Sequence, residues 1–381
     1  MNMALAPSQL VSFATTSLPL DPPARWVDLA DHACEANAFY HPALLRPALE
    51  YLDCNSEVRM LEVYEGDLLI GLMPVTAKSG HGRYPFANVA NWVHPHCFFG
   101  APLVRAGYEI LAWEGFLAQL DGAPWVGNFL HLTAQNTDGA CVQALDAVCT
   151  AQRRGKLLVD RYDRAMLHSA LSADDYWQTH VRPKKRKEIR RLMNRLEESG
   201  AVVHSRLTQA ADLDRWYNDF LALEASGWKG AQGTAIASDT STSAFFRTAL
   251  ANAFAADMLD MLRIDVDGRA MAMLVNFRHM HGAFSYKIAI AEDFGRYSPG
   301  VLIEIDNLRD VQGNCATAWM DSCAMPGHPM IDSLWAERRS IAQYRIALKG
   351  DGLDRVSRAA VFALTGWIER AVRGMKGNVV Q

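Results

Sequence analysis

The features that the sequence lacks exclude several classes of protein. The 381-residue chain has no Cys-x-x-Cys pair, and its 7 cysteines are irregularly spaced, so neither a disulfide framework nor a structural zinc site is expected. There is no run of about 18 apolar residues, so no membrane-spanning helix is predicted. The first charged residue is Asp21, so no basic segment of a signal peptide precedes the apolar start. We therefore expect a cytoplasmic protein.

An excess of positive charge is also missing. The net charge is −4, with 50% hydrophobic and 21% charged residues. This is the balance of an ordinary globular protein, and it argues against nucleic-acid binding over a broad surface. A site for an anion must then be a local cluster of basic residues.

The two halves of the chain show the same order of predicted elements. Each contains a β-hairpin, a third extended segment, a helix and a further strand. The hairpins turn at Gly66 and Gly268, and the residues before them are similar, Met-Leu-Glu-Val in one half and Met-Leu-Arg-Ile in the other. An internal duplication is the simplest interpretation.

The duplication predicts an α+β fold of two related lobes, each a mixed, mainly antiparallel sheet flanked by helices. We expect a loose arm over residues 1–25, a first lobe over 26–168, and a second over 169–381 that ends in a helix. The boundary lies where the first series of elements ends and the second begins.

The segment from 286 to 302 contains the strongest chemical signal. An apolar strand ends at Ile290, and a short turn leads to Arg296 and then to a helix that begins after Ser298 with Pro299 at its first position. A helix N-terminus has backbone N–H groups without helical partners and a positive dipole end, so it binds phosphate groups. Gly300 would let another group approach the backbone closely.

This arrangement resembles the pyrophosphate loop of the GNAT acyltransferase superfamily. The motif Arg296-Tyr-Ser-Pro-Gly300 is one residue longer than the usual form and lacks its second glycine. Preceded by a Tyr-Lys strand, it is similar to the two-lobed FemAB- and CelD-like branch. Asp321, after the following strand, matches in order, as do a basic helix from 184 to 195 and a Gly-rich segment after Glu224. The resemblance covers about residues 170–350, and before that only the architecture agrees.

The resemblance implies an acyl-CoA co-substrate, acetyl-CoA or a longer thioester, and an amine acceptor held in a cleft between lobes. The residues that would bind the CoA are Arg296, Tyr297, Ser298, Pro299, Gly300 and Val301. Those that would contact the substrates are Glu224, Trp228, Lys229, Tyr286 and Lys287. The glycines after Glu224 are equally compatible with ordinary helix capping.

Direct acyl transfer needs a base that deprotonates the amine. Histidine suits this role near neutral pH, and the candidates are His328, His94 and His96. Asp321 would hold the acceptor ammonium group. Without a fourth ligand at a suitable spacing, the three histidines do not predict a metal site.

The acceptor itself is not encoded in any motif. Long-chain amines of the sphingoid type, aminoacyl transfer to a cell-wall precursor, and a non-catalytic role in exopolysaccharide production all remain open. The basic helix from 184 to 195 would contact CoA phosphates or an anionic membrane surface, or form a solvated face.

Overall fold

The computed structural model describes residues 11–16, 24–53, 55, 57–80, 84–313 and 316–377. The strands, in chain order, are β1 Val11–Thr16, β2 Val58–Glu65, β3 Leu68–Lys78, β4 Asn88–Asn91, β5 Leu103–Val104, β6 Phe129–Asn136, β7 Lys156–Leu167, β8 Val202–Arg206, β9 Leu259–Val266, β10 Arg269–His279, β11 Gly282–Ile290, β12 Trp319–Asp321 and β13 Glu337–Ala347. The helices are α1 Ala24–Asp31, α2 Pro42–Tyr51, α3 Glu109–Gly122, α4 Ala140–Ala151, α5 Ala173–His180, α6 Pro183–Glu197, α7 Leu213–Ala225, α8 Trp228–Ala231, α9 Thr240–Ala255, α10 Pro299–Gly313 and α11 Gly352–Gly377.

The chain divides into two compact units. The first comprises Met1–Pro42, Asn55–Tyr162 and Ser340–Gln381, and the second comprises Ala43–Cys54 and Asp163–Arg339. The division near residue 162 lies close to the predicted boundary. The last segment joins the first unit, whereas the sequence assigns it to the second lobe, because β13 pairs antiparallel with β6.

In the first unit, β1, β2, β3 and β4 form an antiparallel series, β6 is parallel to β4, and β13 is antiparallel to β6. Helices α3 and α4 pack on this sheet through apolar faces. Trp113 and Phe116 of α3 are fully buried in the resulting core. Burial of such large side chains is the main stabilising contribution in a layer of this kind.

In the second unit, β8, β9, β10 and β11 form the antiparallel series, β12 is parallel to β11, and β7 is antiparallel to β12. Helix α10 connects β11 to β12, as α3 lies between β4 and β6 in the first unit. The two units therefore share one strand order and one sequence of pairing directions, and the predicted α+β fold of two related lobes is confirmed.

The structure differs from the predicted loose arm at residues 11–16, which form β1 and pair with β2 from Val11 opposite Glu65 to Thr16 opposite Met60. Residues 1–10 and 17–23 of that predicted arm lie outside the described residues. Among the helices that the structure describes, none combines the length and apolar character needed to cross a bilayer.

Candidate active site

An opening between β11 and β12 is the central feature of the second unit. The two strands pair only from Gly282 opposite Trp319 to Phe284 opposite Asp321. On its other edge β11 pairs with β10, and there Val275 is opposite Lys287 whereas Asn276 is opposite Ser285, so that Tyr286 is the extra residue of a bulge. A bulge bends its strand and re-aims its side chains. Beyond Phe284, no strand of the described chain pairs with the β12 side of β11.

The turn after β11 positions the start of α10 at the end of this opening. A 3-10 turn covers Glu292–Tyr297, and Ser298 adopts a left-handed conformation with φ 55° and ψ 57°. The carbonyl oxygen of Ser298 accepts from the amides of Val301 at 2.9 Å and Leu302 at 3.2 Å. Helix α10 begins at Pro299, so the predicted helix start is confirmed. A left-handed conformation at a residue other than glycine costs about 1 kcal/mol or more.

Gly300 is buried at the second position of α10. The sequence suggests that another group approaches the backbone closely here, and in the structure this group is the side chain of Met330 from the same unit. A β-carbon there would stand 2.8 Å from the sulfur of Met330 and 3.5 Å from Cδ1 of Ile288. The absence of a side chain at Gly300 thus allows the segment that carries Met330 to pack against the helix start.

A pocket of about 360 Å³ opens beside the turn, lined by Arg195, Glu198, Ser199, Arg296 and Tyr297. The guanidinium of Arg296 lies 4.7 Å from the centre of the Tyr297 ring. The hydrogen bond between Ser199 and Tyr297 lowers the pKa of the Tyr297 hydroxyl and connects the end of α6 to the turn. Two exposed guanidinium groups at one pocket make it suited to a phosphate-bearing ligand.

The basic helix predicted over 184–195 is confirmed as α6, whose buried face consists of Ile189, Leu192 and Leu196. Its exposed cations include Lys187 and Arg191, which are one helical turn apart. Positions 187, 191 and 195 follow helical spacing, so this row of cations leads along α6 to the pocket.

The predicted substrate residues from two separate segments meet at the bulge. The ammonium group of Lys229 lies 2.8 Å from Oε1 of Glu224, and the backbone amide of Ile236 donates to Oε2 of the same carboxylate at 2.8 Å. Burial, and then the charge of Lys229, lowers the pKa of Lys287 to about 8, with Glu224 acting in the opposite direction. Glu224, Lys229 and Lys287 therefore form one electrostatic cluster.

The two aromatic residues predicted with this cluster occupy different environments. Tyr286 is buried, and its ring lies 4.9 Å from that of Phe277 and 6.3 Å from that of Phe246. Trp228 is exposed, and its backbone amide donates to Oε1 of Glu292 at 2.6 Å. Only the exposed ring of Trp228 is available to a ligand at the surface.

Asp321 is fully buried and bound by two arginines. Nε of Arg164 lies 2.6 Å from Oδ1, NH1 of Arg339 donates to Oδ2 at 3.0 Å, and the amide of Cys323 donates to Oδ1 at 2.9 Å. Although burial alone would raise it, the charges of Arg164 and Arg339 hold the pKa of Asp321 below its usual value. Both carboxylate oxygens are thus engaged within the unit, which favours a structural role for Asp321 over capture of an ammonium group.

His328 lies in the segment between β12 and β13, two residues before Met330. Its ring is partly exposed, and its Nδ1 atom is buried without a hydrogen-bond partner in the described part of the chain. Because Met330 packs at Gly300, this histidine belongs to the segment that covers the start of α10.

His94 and His96 lie in the first unit. The amide of His96 donates to Nδ1 of His94 at 3.3 Å, and the His94 ring lies 4.9 Å from that of Trp92. Burial, and then the charge of His96, lowers the pKa of His94 to about 3. A base with so low a pKa accepts a proton poorly at neutral pH, so His94 is a weak candidate for deprotonating an amine.

A buried polar network next to the opening was not predicted from the sequence. Ser285 and Asn307 both hydrogen-bond the carboxyl group of Glu304, the latter at 3.0 Å, and Asn276 donates to Asn307 at 2.9 Å. Burial raises the pKa of Glu304 to about 7 against the effect of these bonds. The available signal was a polar pair, Glu304 and Asn307, at a spacing of three residues on the side of α10 that carries the buried apolar residues.

Comparison with known proteins finds a family match over part of the chain. Residues 183–314 match the family described as the acetyltransferase (GNAT) domain. That range contains α6, the Glu224–Lys229 cluster, the bulged strand β11 and the whole of α10. No protein of curated function matches the sequence.

Three solved structures share the fold over most of the chain at low sequence identity. FemX is 7% identical, with a TM-score of 0.56 over 87% of this chain and 96% of that chain. A conserved protein of unknown function from Bacteroides thetaiotaomicron VPI-5482 is 12% identical, with a TM-score of 0.54 over 89% and 100%. The C-terminal domain (DUF2156) of a putative lysylphosphatidylglycerol synthetase from Agrobacterium fabrum is 11% identical, with a TM-score of 0.52 over 90% and 94%. At these sequence identities the similarity establishes a shared fold and no more.

Proposed function

We propose that the second unit binds an acyl-CoA thioester and transfers the acyl group to an amine, on the basis of its match to the acetyltransferase (GNAT) domain over residues 183–314 and of the fold that the chain shares with FemX. The observation that carries the proposal is the combination of the half-unpaired strand β11 with a phosphate-type helix start directly after it. A thioester needs both a slot for its extended pantetheine arm and an anion site for its pyrophosphate.

The pyrophosphate would lie at the turn between Arg296 and Gly300. The amides of Val301 and Leu302 already donate to Ser298, so the amide of Gly300 is the donor left for a ligand among the first amides of α10 in the described chain. The positive end of the α10 dipole and the guanidinium groups of Arg296 and Arg195 supply the remaining attraction. Further cations along α6 would attract the outer phosphate of CoA.

The pantetheine arm would extend along the open edge of β11, from Ile290 towards Phe284. Because β12 pairs with β11 only as far as Phe284, the arm would add to this edge as a strand does, through its amide groups. The thioester carbonyl would then reach the bulge at Tyr286. Backbone N–H groups at the bulge and the cation of Lys287 would stabilise the negative charge that develops on the carbonyl oxygen.

The reaction itself is a direct displacement. The neutral amine attacks the thioester carbon, the new C–N bond forms, the C–S bond breaks, and the CoA thiolate leaves and takes up a proton. We assign removal of the amine proton to His328, because its ring is partly exposed and its segment covers the start of α10. His96, from the first unit, is the second candidate for this base.

We propose that the acceptor is an amine with a substantial apolar part, such as a long-chain base. Trp228, next to Lys229, and Met325, three residues before His328, are both exposed large apolar side chains of the second unit. Exposed apolar groups beside a polar reaction centre suit an amphiphilic acceptor. The exposed cations of α6 would also suit an anionic membrane surface that presents such an acceptor.

The test begins with ligand binding. Acetyl-CoA and long-chain acyl-CoA should raise the melting temperature of the full chain, because a ligand that binds only the folded state stabilises it by RT ln(1 + [L]/Kd). A panel of small polar amines, long-chain amines and amino-sugar peptides then follows, with release of the CoA thiol and product mass as readouts. Binding without release of thiol for any amine would support a non-catalytic role. Absence of any shift at millimolar acyl-CoA would exclude the proposed co-substrate and favour an aminoacyl donor.

A further inference from the structure

Helix α11 packs on its own unit through a partly polar stripe. Arg358 of α11 is buried and donates to the backbone oxygen of Asp121 at 3.3 Å, and Glu369 of α11 is bonded to Arg345 of β13. Thr365, which lies between Arg358 and Glu369 in sequence, is also buried. Positions 358, 365 and 369 repeat at helical spacing and therefore form one face. Among the described side chains of α11, this face makes the polar contacts with Asp121 and Arg345 of the same unit.

The opposite face of α11 is apolar and exposed. Leu353, Val356, Leu364 and Trp367 expose 89%, 69%, 45% and 63% of their surface, and Ala360 in the centre of the row is also exposed. In an amphipathic helix of a monomer, the apolar stripe faces the core and the polar stripe faces water. In α11 an apolar row faces away from the unit, although Phe362 on another side of the helix packs against Gly155. A continuous exposed apolar row marks an interaction surface.

The spacing within this row is symmetric. Its members follow one another at intervals of 3, 4, 4 and 3 residues, so the row reads the same in both directions about Ala360. If two copies of α11 crossed antiparallel at Ala360, Leu353 of each copy would face Trp367 of the other, and Val356 would face Leu364. A two-fold interface needs this kind of self-complementarity, and a small residue at the crossing point lets the helices approach closely.

The exposed area of the row is sufficient for a small specific interface. With about 150–250 Å² for each large apolar side chain, the exposed fractions amount to roughly 500 Å² per copy. A pair would then bury about 1,000 Å², which is the lower limit for a specific interface.

The charges along the row itself favour a protein partner over a lipid surface. Asp351 and Asp354 are exposed at the start of α11, and Arg355 is the exposed cation beside them. Helices that bind anionic bilayers carry an excess of basic residues on the polar face. Residues 351–369 contain the whole row, and there the acidic Asp351, Asp354 and Glu369 outnumber the basic Arg355 and Arg358, whereas Arg370, Arg373 and Lys376 follow the row in sequence.

We propose that α11 is a homodimer interface, in which two copies of the chain pair antiparallel through Leu353, Val356, Ala360, Leu364 and Trp367 about a two-fold axis at Ala360. This inference is independent of the acyl-transfer reaction.

The first test is the mass of the full chain in solution at roughly 100 µM, a concentration suited to an interface of this size. Light scattering or sedimentation equilibrium should give twice the chain mass for the wild type and the single-chain mass for Trp367→Glu. The matched control is Val203→Lys, which removes an exposed apolar residue of β8 and should leave the dimer intact. A monomeric wild type would overturn the proposal, as would a dimer that Trp367→Glu does not affect.

Cysteine cross-linking tests the register. Under mild oxidation Ala360→Cys alone should give a disulfide-linked dimer, because the residue meets its own copy at the axis. Leu353→Cys and Trp367→Cys should cross-link when the two variants are mixed and not when either is alone. Cross-linking of Leu353→Cys with itself would indicate parallel helices and contradict the axis at Ala360. Binding of the wild type to anionic vesicles that Trp367→Glu abolishes, with both proteins monomeric, would assign this face to a membrane instead.

Discussion

The sulfur of Met330 lies against Gly300 at the start of α10, only 2.8 Å from where a β-carbon on that glycine would stand. This contact connects the segment that carries His328 to the helix start that we assign to the CoA pyrophosphate. A substitution at Gly300 or Met330 should therefore affect both the position of the His328 segment and the binding of CoA at the helix start.

Gly300→Val should therefore act through Met330. The added branches would displace the thioether and strain the packing, which typically costs about 1–3 kcal/mol of stability. We expect a lower melting temperature together with weaker acyl-CoA binding. Combining Gly300→Ala with Met330→Ala should recover much of the stability that Gly300→Ala loses alone, because Met330→Ala removes the sulfur that the new β-carbon would meet. Additive losses in the double variant would show that the two residues are not coupled.

Arg296→Ala and Arg195→Ala should weaken binding of acyl-CoA by about tenfold or more, the usual effect of losing a charge-assisted hydrogen bond. Binding is measured by calorimetry at two salt concentrations. The matched ligand is acyl-pantetheine, which lacks the pyrophosphate, and its affinity should not change in either variant. The control substitution is Arg247→Ala, at an exposed arginine of α9 that pairs with Asp214 at 3.4 Å. A larger loss for acyl-pantetheine than for acyl-CoA would contradict the placement of the phosphates.

Lys287 should limit activity at alkaline pH. Its pKa is lowered to about 8, chiefly by burial, so the ammonium group is mainly charged at pH 7 and loses its proton as the pH rises through about 8. If this cation stabilises the developing oxyanion, kcat/KM should fall above that pH. Lys287→Arg should retain part of the activity and move the alkaline limb upward, because guanidinium stays charged. An unchanged limb in this variant would assign the limb to another group.

His328→Ala should lower turnover by at least about tenfold while acyl-CoA affinity stays near that of the wild type, since general base catalysis contributes roughly 10²–10⁴-fold. His94→Ala and His96→Ala are the controls from the first unit. Loss of turnover in His96→Ala alone would move the base to that residue. If all three variants keep full turnover, the proton leaves through water.

Glu304→Gln should stabilise the protein at alkaline pH. Burial raises the pKa of Glu304 from 4.5 to about 7, so the folded state holds a proton that the unfolded state releases between these values. Stability therefore decreases as the pH rises from 4.5 to 7, and the full cost, up to about 3 kcal/mol, applies above 7. Urea unfolding of wild type and variant at pH 5 and pH 8 should show a difference mainly at pH 8. Glu197→Gln, at an exposed position of α6, is the control for the substitution itself. An equal change at both pH values for Glu304→Gln would refute a buried titrating carboxyl group.

Much of the second unit could be predicted from local patterns. Strand β11 ends at Ile290 as expected, and Ser298 and Pro299 fix the start of α10, because turn and capping residues act within a few positions of one another. The repeated hairpins at Gly66 and Gly268 identified the duplication for the same reason. Strands β7 and β13 were not predicted, since their partners β12 and β6 are distant in sequence.

The sequence by itself determined the two-lobed α+β fold, the helix start at Pro299 and the basic face of α6, because periodicity, capping and charge are local properties. Only the tertiary structure decided what each candidate group meets. It paired Asp321 with Arg164 and Arg339, seated Met330 against Gly300, and placed Lys287 in the field of Lys229. These relationships depend on contacts between segments far apart along the chain, and the burial and charge that set a side chain's chemistry exist only once those segments have packed together.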